Sequence, residues 1–192
     1  MTSGQLTILI IVLAAISAGV VILFMRNRSR RLQSRFGPEY QRTLAETGSK
    51  LKAESKLEKI EKRVDKYSIR PLSVSERDRY VQEWRAIQTL FVDDPSRAFI
   101  EADHLLVQVM TVRGYPVSDF DNRVEEISVD HAPVVDNYRR GHEIALVHQQ
   151  GIATTEQLRQ GMIHYRALFG ELVGDPGTPQ AEIPRARAAG AN

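Results

Sequence analysis

The clearest pattern in the chain is an uninterrupted apolar stretch at residues 6–25, in which only Thr7 and Ser17 are polar and no side chain is charged. Twenty helical residues rise about 30 Å, which matches the hydrocarbon core of a bilayer. Thirteen of these residues are Leu, Ile, Val or Phe. Their transfer into lipid favours insertion by roughly 4–8 kcal/mol. The stretch therefore predicts a transmembrane helix.

A buried core helix and a cleaved signal peptide are the two alternatives for this stretch. A core helix normally keeps a polar face, which residues 6–25 lack. A signal peptide would begin with basic residues, have a shorter apolar run and end in small residues. Residues 2–5 contain no base, and the run ends in Phe24, Met25 and Arg26. These features favour an uncleaved anchor.

The stretch that follows the anchor is polar and charged. Pro38 predicts a short helix to about Thr47, and residues 49–67 predict a second helix. That second helix carries a narrow apolar seam of coiled-coil type, formed by Ala53, Leu57, Ile60, Val64 and Tyr67. We expect it to lie on a partner or on the domain.

Wider apolar stripes with helical spacing begin near residue 74 and predict a bundle. Ser73 with Glu76, and Thr154 with Gln157, have the spacing of capping boxes. Asp94 before Pro95 predicts another helix start, and Gly114 a left-handed helix end. Ser118 is the predicted cap of a short helix over residues 119–129. Further helices are expected over residues 133–150 and from Thr154 to about Val173, and Trp84 is expected to anchor the core.

The predicted fold class is therefore all-α, with one N-terminal transmembrane helix followed by a multi-helix bundle, since no segment alternates like a strand. The predicted divisions are a short extension (1–5), the transmembrane helix (6–25), a basic juxtamembrane segment (26–37), a charged helical linker (38–69), the bundle domain (70–173) and a disordered tail (174–192).

The distribution of charge orients the predicted anchor. Residues 1–35 contain five arginines, Arg26, Arg28, Arg30, Arg31 and Arg35, and no acid. Basic residues on the C-terminal side of the anchor predict that the N-terminus lies outside the cell membrane and the domain in the cytoplasm. The rest of the chain has 21 basic and 24 acidic side chains, a net charge of about −3, so we expect no nucleic-acid partner. The arginine cluster itself is expected to face the membrane and to attract anionic lipid.

No catalytic motif is present, so we do not expect an enzyme. The chain lacks cysteine, and His142-Glu143 begins a zinc-binding helix motif that fails because residue 146 is Leu. We expect no cofactor and no metal. The alternative hypothesis is a ligand-sensing or hydrolytic domain that uses His131, His142 and Tyr138, in a pocket that also contains Arg139 and His164.

Several strings resemble an uncharacterised bacterial family of hypothetical membrane or secreted proteins. They are residues 91–95 (FVDDP), 110–116 (MTVRGYP), 129–131 with 137–139 (VDH and NYR), 155–159 (TEQLR) and 164–169 (HYRALF). The resemblance covers about residues 31–173. It implies bacterial origin and no particular activity. We therefore expect a membrane-tethered helical module that binds another protein or a second copy of itself.

Overall fold

The structure is a computed structural model that describes residues 3–116 and 119–174, with side chains from residue 11 onwards. Within these ranges the protein is all-helical and has no strand. The helices are α1 (Ser3–Phe36), α2 (Pro38–Thr47), α3 (Lys50–Val64), α4 (Val74–Asp93), α5 (Pro95–Arg113), α6 (Phe120–His131), α7 (Val135–Gln149) and α8 (Thr155–Val173), with a 3-10 turn at Ala132–Val134 between α6 and α7.

Helix α1 is longer than the predicted anchor. The part of α1 whose side chains are described, Ile11–Phe36, is long and apolar enough to cross a membrane, and its most apolar window is not buried in the protein. The helix continues through the arginines because residues 26–36 include no helix breaker. It ends at Gly37, whose φ of 50° turns the chain back into α2. The predicted juxtamembrane segment is therefore the end of the same helix.

Most of the predicted helix starts and ends are confirmed. Both capping boxes are formed, by Ser73 with Glu76 and by Thr154 with Gln157. Asp94 accepts a hydrogen bond from the Arg97 amide, and Gly114 adopts the left-handed conformation. The predicted cap Ser118 lies outside the described residues, and the carboxylate of Asp119 caps α6 instead by accepting from the Asn122 amide at 3.0 Å. The predicted disordered tail, apart from Gly174, also lies outside the described residues.

The larger of two hydrophobic clusters lies among α4, α5, α7 and α8, with a contribution from α6. Trp84 is a buried core residue, as predicted, and its ring stacks on Phe169 with centroids 4.7 Å apart. Phe99 stacks on Tyr165 at 5.1 Å. These pairs join α4 and α5 to α8, which runs through the middle of the bundle.

The second cluster contains the segment predicted to be a linker. Leu32 and Phe36 of α1 pack against Tyr40, Leu57, Ile60 and Val64, and Val129 of α6 covers the same cluster. The seam of α3 is thus buried within this chain by α1, α2 and α6. Residues 38–69 are an integral part of the fold, since their apolar residues have partners that the local sequence pattern does not reveal.

We expect Gly141→Ala to destabilise the bundle, although alanine is the better helix former by about 1 kcal/mol. A Cβ on Gly141 would overlap the Cδ1 and Cε1 atoms of the buried Tyr165 ring and lie 3.1 Å from its Cζ atom. Overpacking of this kind lowers the free energy of unfolding by about 1–3 kcal/mol. Thermal unfolding of the full chain in detergent, followed by circular dichroism, measures the change. Gly19→Ala is the control, because its Cβ meets no atom within 4 Å; equal stability of the two variants would contradict the prediction.

Candidate functional site

The arginines beside the predicted anchor face the acidic side of α3. Arg28, Arg31 and Arg35 recur at steps of three and four, so they lie along one face of α1. Arg28 donates to both carboxylate oxygens of Glu58, at 2.6 and 3.0 Å. Arg31 donates to both oxygens of Glu61 at 2.9 and 3.0 Å. We call this set of contacts, together with Arg35, Ser29 and Glu54, the α1–α3 ladder.

Two carboxylates of the ladder are buried. Glu61 also accepts from Arg35 at 2.5 Å. Glu54 accepts from the Ser29 hydroxyl at 2.6 Å and from the Tyr40 hydroxyl at 3.1 Å. Burial and the Glu54 carboxylate raise the pKa of Tyr40. A buried carboxylate is tolerated only when hydrogen-bond donors and positive charge surround it. The ladder therefore depends on α1 staying in place.

The five arginines do not share one environment. Arg28, Arg31 and Arg35 are used in the ladder, and Arg35 also approaches Asp130 of α6 at 3.8 Å. Arg26 and Arg30 are exposed. The prediction that the cluster faces lipid stays a prediction, and Arg26 and Arg30 are the members whose surroundings suit it best.

A second polar cluster lies at the joint between the two hydrophobic clusters. Arg113, His131 and Glu171, at the C-terminal ends of α5, α6 and α8, are all at least nine-tenths buried. Arg113 Nη1 lies 3.2 Å from His131 Nε2, and His131 Nδ1 lies 3.0 Å from Glu171 Oε1. A guanidinium can only donate, so Nε2 accepts and Nδ1 carries the proton that is donated to Glu171.

Arg113 also joins the ends of several elements. It donates to the carbonyl oxygen of Leu172 at 3.0 Å and to that of Arg70 at 3.3 Å. These bonds satisfy backbone groups that a helix end or a loop would otherwise leave unpaired. Since the cluster is sealed from solvent, its geometry suits the joining of helices rather than contact with a substrate.

The residues of the predicted pocket have separate partners. His131 belongs to the buried cluster, and Arg139 donates to Glu39 of α2 at 2.7 Å. His164 pairs with Asn137 at 2.9 Å. Only Tyr138 and His142 meet, through the ring of Phe120, whose centroid lies 5.0 and 3.5 Å from theirs. The structure thus brings together two of the five residues and leaves three in other environments.

Burial lowers the pKa of His142 and the pKa of His164 below the ordinary value of a histidine. Among residues 3–116 and 119–174, no group of three or more acidic or histidine side chains is arranged to hold a metal ion.

The local sequence pattern did not point to Arg113, to Glu171 or to the acidic partners in the ladder. A signal for the ladder was present, because Glu54, Glu58, Glu61 and Asp65 recur on one face of α3 with the same helical spacing as the arginines of α1. Two matching faces of opposite charge, about 26 to 30 residues apart, are compatible with pairing. Arg113 and Glu171 had only a weak signal, as charges beside apolar stripes.

No family model matches the chain, and no curated protein or solved structure is significantly similar to it. The resemblance to a bacterial family of hypothetical membrane or secreted proteins therefore stays a prediction.

We expect Glu61→Gln to weaken the ladder, because Arg31 and Arg35 would then face a neutral amide. The free energy of unfolding should fall by about 1–3 kcal/mol, because two arginines lose the carboxylate that they share. The loss stays in this range because Arg31 is half exposed and keeps its contact with water. Chemical denaturation of the full chain in detergent measures it. Glu156→Gln on α8 is the matched control, since its pair with Arg159 is exposed and should matter little. Equal losses in the two variants would show that burial does not strengthen the ladder.

We expect the protein to lose stability on mild acidification, in part through His142. A histidine whose pKa is lowered by folding binds fewer protons in the native state than in the unfolded state, so stability falls as the pH drops through the unfolded value of about 6.5. His142→Phe should keep the ring stack on Phe120 and reduce the fall in melting temperature between about pH 7.5 and about pH 5.5. The exposed His104, replaced by Gln, is the control. A pH profile unchanged by His142→Phe would refute this role.

Proposed function

We propose that this protein is a membrane-tethered, non-catalytic helical module that holds a protein-binding surface at a fixed position beside the membrane. The observation that carries the proposal is the continuity of α1. A single helix contains the apolar stretch and then supplies Leu32 and Phe36 to the second cluster and three arginines to the ladder. The anchor and the domain are therefore joined without a flexible linker.

A rigid connection supports a positioning role. A flexible leash would only raise the local concentration of a domain near the membrane. A helix packed on α2, α3 and α6 also sets the direction that the domain faces and its distance from the lipid. That arrangement benefits a module that must meet another protein, or a second copy of itself, at a defined height.

We place the domain in the cytoplasm and the N-terminus outside the cell membrane. Basic residues are biased to one side of the apolar stretch, since five arginines lie between Arg26 and Arg35 and residues 1–5 contain no Lys or Arg. On the family resemblance, we propose that this membrane is a bacterial one. A non-catalytic role is proposed because the candidate histidines are engaged with separate partners.

We expect Val12→Arg with Ile16→Arg to release the protein from membranes. Each arginine near the middle of a transmembrane helix opposes insertion by about 2.5–3.5 kcal/mol, which together offsets most of the gain from the apolar stretch. The fraction left in the pellet after alkaline carbonate extraction measures the effect. Val12→Leu with Ile16→Leu is the matched control and should stay in the membrane, as should the unaltered chain. A C-terminal reporter that works only in the cytoplasm should be active.

Three results would contradict the proposal. Full retention of the double arginine variant would show that α1 is not the anchor. Activity only of a reporter that requires export would show the opposite orientation. Chemical crosslinking in intact membranes that captures neither a dimer nor a discrete adduct with another protein would remove the interaction role.

A further inference from the structure

The turn between α2 and α3, residues 47–52, combines an exposed apolar side chain with positive charge. Leu51, the second residue of α3, is 63% exposed, although the other large apolar residues of that helix are buried. Lys50 and Lys52 flank it and are exposed, and residues 47–52 contain no acid. A single exposed leucine is common on protein surfaces, so what Leu51 meets depends on where the turn lies along α1.

The register of the α1–α3 ladder shows where this turn lies along α1. The contacts advance together along both helices, from Arg28 with Glu58 to Arg35 with Asp65, so α1 and α3 run parallel. Partners are 30 residues apart for Arg31 with Glu61 and 25 apart for Ser29 with Glu54. Applied to Leu51, these separations place it level with residues 21–26 of α1.

The length of α2 gives a second, independent estimate of the position of the turn along α1. The chain reverses at Gly37, and α2 returns along α1 for 10 residues, about 15 Å. Its last turn is therefore level with about residue 27 of α1. Gly48 then adopts the left-handed conformation and α3 begins. Both estimates put the turn at the same height along α1 as Phe24 and Met25, where the apolar stretch ends.

We propose that the α2–α3 turn is a second membrane contact, in which Leu51 enters the interfacial region of the bilayer and Lys50 and Lys52 bind anionic lipid headgroups. This inference rests on the proposed tethering by α1, because the boundary between Met25 and Arg26 marks the surface of the lipid only if α1 spans it. Leu51 then lies at the depth where apolar side chains meet acyl chains, and the lysines lie among headgroups.

The charges at this level favour lipid over a protein partner. Arg26 and Arg30 are exposed on α1 at nearly the same height as the two lysines. Lys50 Nζ lies 3.9 Å from the buried carboxylate of Glu54, which also accepts from Ser29 and Tyr40. Glu46, just before the turn, pairs with Arg42 and Lys56, so Lys52, Arg26 and Arg30 supply most of the positive charge at this level. The surface that faces the bilayer is therefore positive, which complements an anionic leaflet. Two contacts with the membrane would also prevent the domain from rotating about the axis of α1.

The chain has no cysteine, so single cysteines can carry an environment-sensitive fluorophore without other changes. We would label Leu51→Cys, Phe24→Cys and Val74→Cys in the full chain, reconstituted in vesicles of phosphatidylcholine and phosphatidylglycerol with nitroxide lipids. Phe24, 70% exposed on α1, reports on the anchor, and Val74 is the matched control, since it is 75% exposed at the start of α4. We expect strong quenching at residue 24, quenching at residue 51 by shallow nitroxides, and at least about twofold less at residue 74.

The outcomes separate the two proposals. Quenching at residue 24 without quenching at residue 51 would overturn this inference and leave the tether standing. No quenching at residue 24 would overturn both. A blue-shifted but unquenched fluorophore at residue 51 would mean that protein, not lipid, covers the turn, and equal quenching at residues 51 and 74 would mean that no defined turn contacts the membrane.

The charges are tested in the same system. Lys50→Gln with Lys52→Gln should lower quenching at residue 51 by about twofold in anionic vesicles. Lys59→Gln with Lys62→Gln is the control, because both lysines are exposed farther along α3 and should have little effect. Equal quenching in all these variants would refute headgroup binding by the turn.

Discussion

Arginines of α1 pair with carboxylates of α3, and this contact joins the apolar N-terminal helix to the domain. Glu54 and Glu61 are buried and would be costly without donors around them. Apart from the Tyr40 hydroxyl of α2, the hydrogen-bond donors come from the continuation of the apolar N-terminal helix, on the same side as Leu32 and Phe36. One helix therefore contains the apolar stretch and also completes the core of the domain.

This interaction is connected to the larger cluster through α6. Arg35 approaches Asp130, and the next residue, His131, lies between Arg113 and Glu171 at the ends of α5 and α8. Arg139 of α7 reaches Glu39 of α2 in the same region. Together these contacts tie α1 and α2 to α5, α6, α7 and α8.

Because α1 continues without a break into the domain, the proposed tether is rigid. A rigid anchor sets height, and a second lipid contact at the α2–α3 turn would set rotation. The surface of the bundle around the larger cluster would then face one direction for any partner. Nothing in this arrangement needs a reactive group, and His131, His142 and His164 each contact a different neighbour.

Several features depend on near neighbours along the chain, and the local pattern was enough to predict them: the apolar stretch, the capping boxes at Ser73 and Thr154, the cap at Asp94 and the apolar stripe that buries Trp84. Packing between distant helices settled the rest: the apolar seam of α3 packs on α1, α2 and α6, three arginines meet α3, and His131 joins Arg113 and Glu171 while His142 and His164 do not. Helix caps and stripes follow from contacts within about four residues, which a pattern records. The hydrogen bonds of Arg113 with His131 and of Arg139 with Glu39 join residues 18 and 100 positions apart, and their partners are set by how the helices pack.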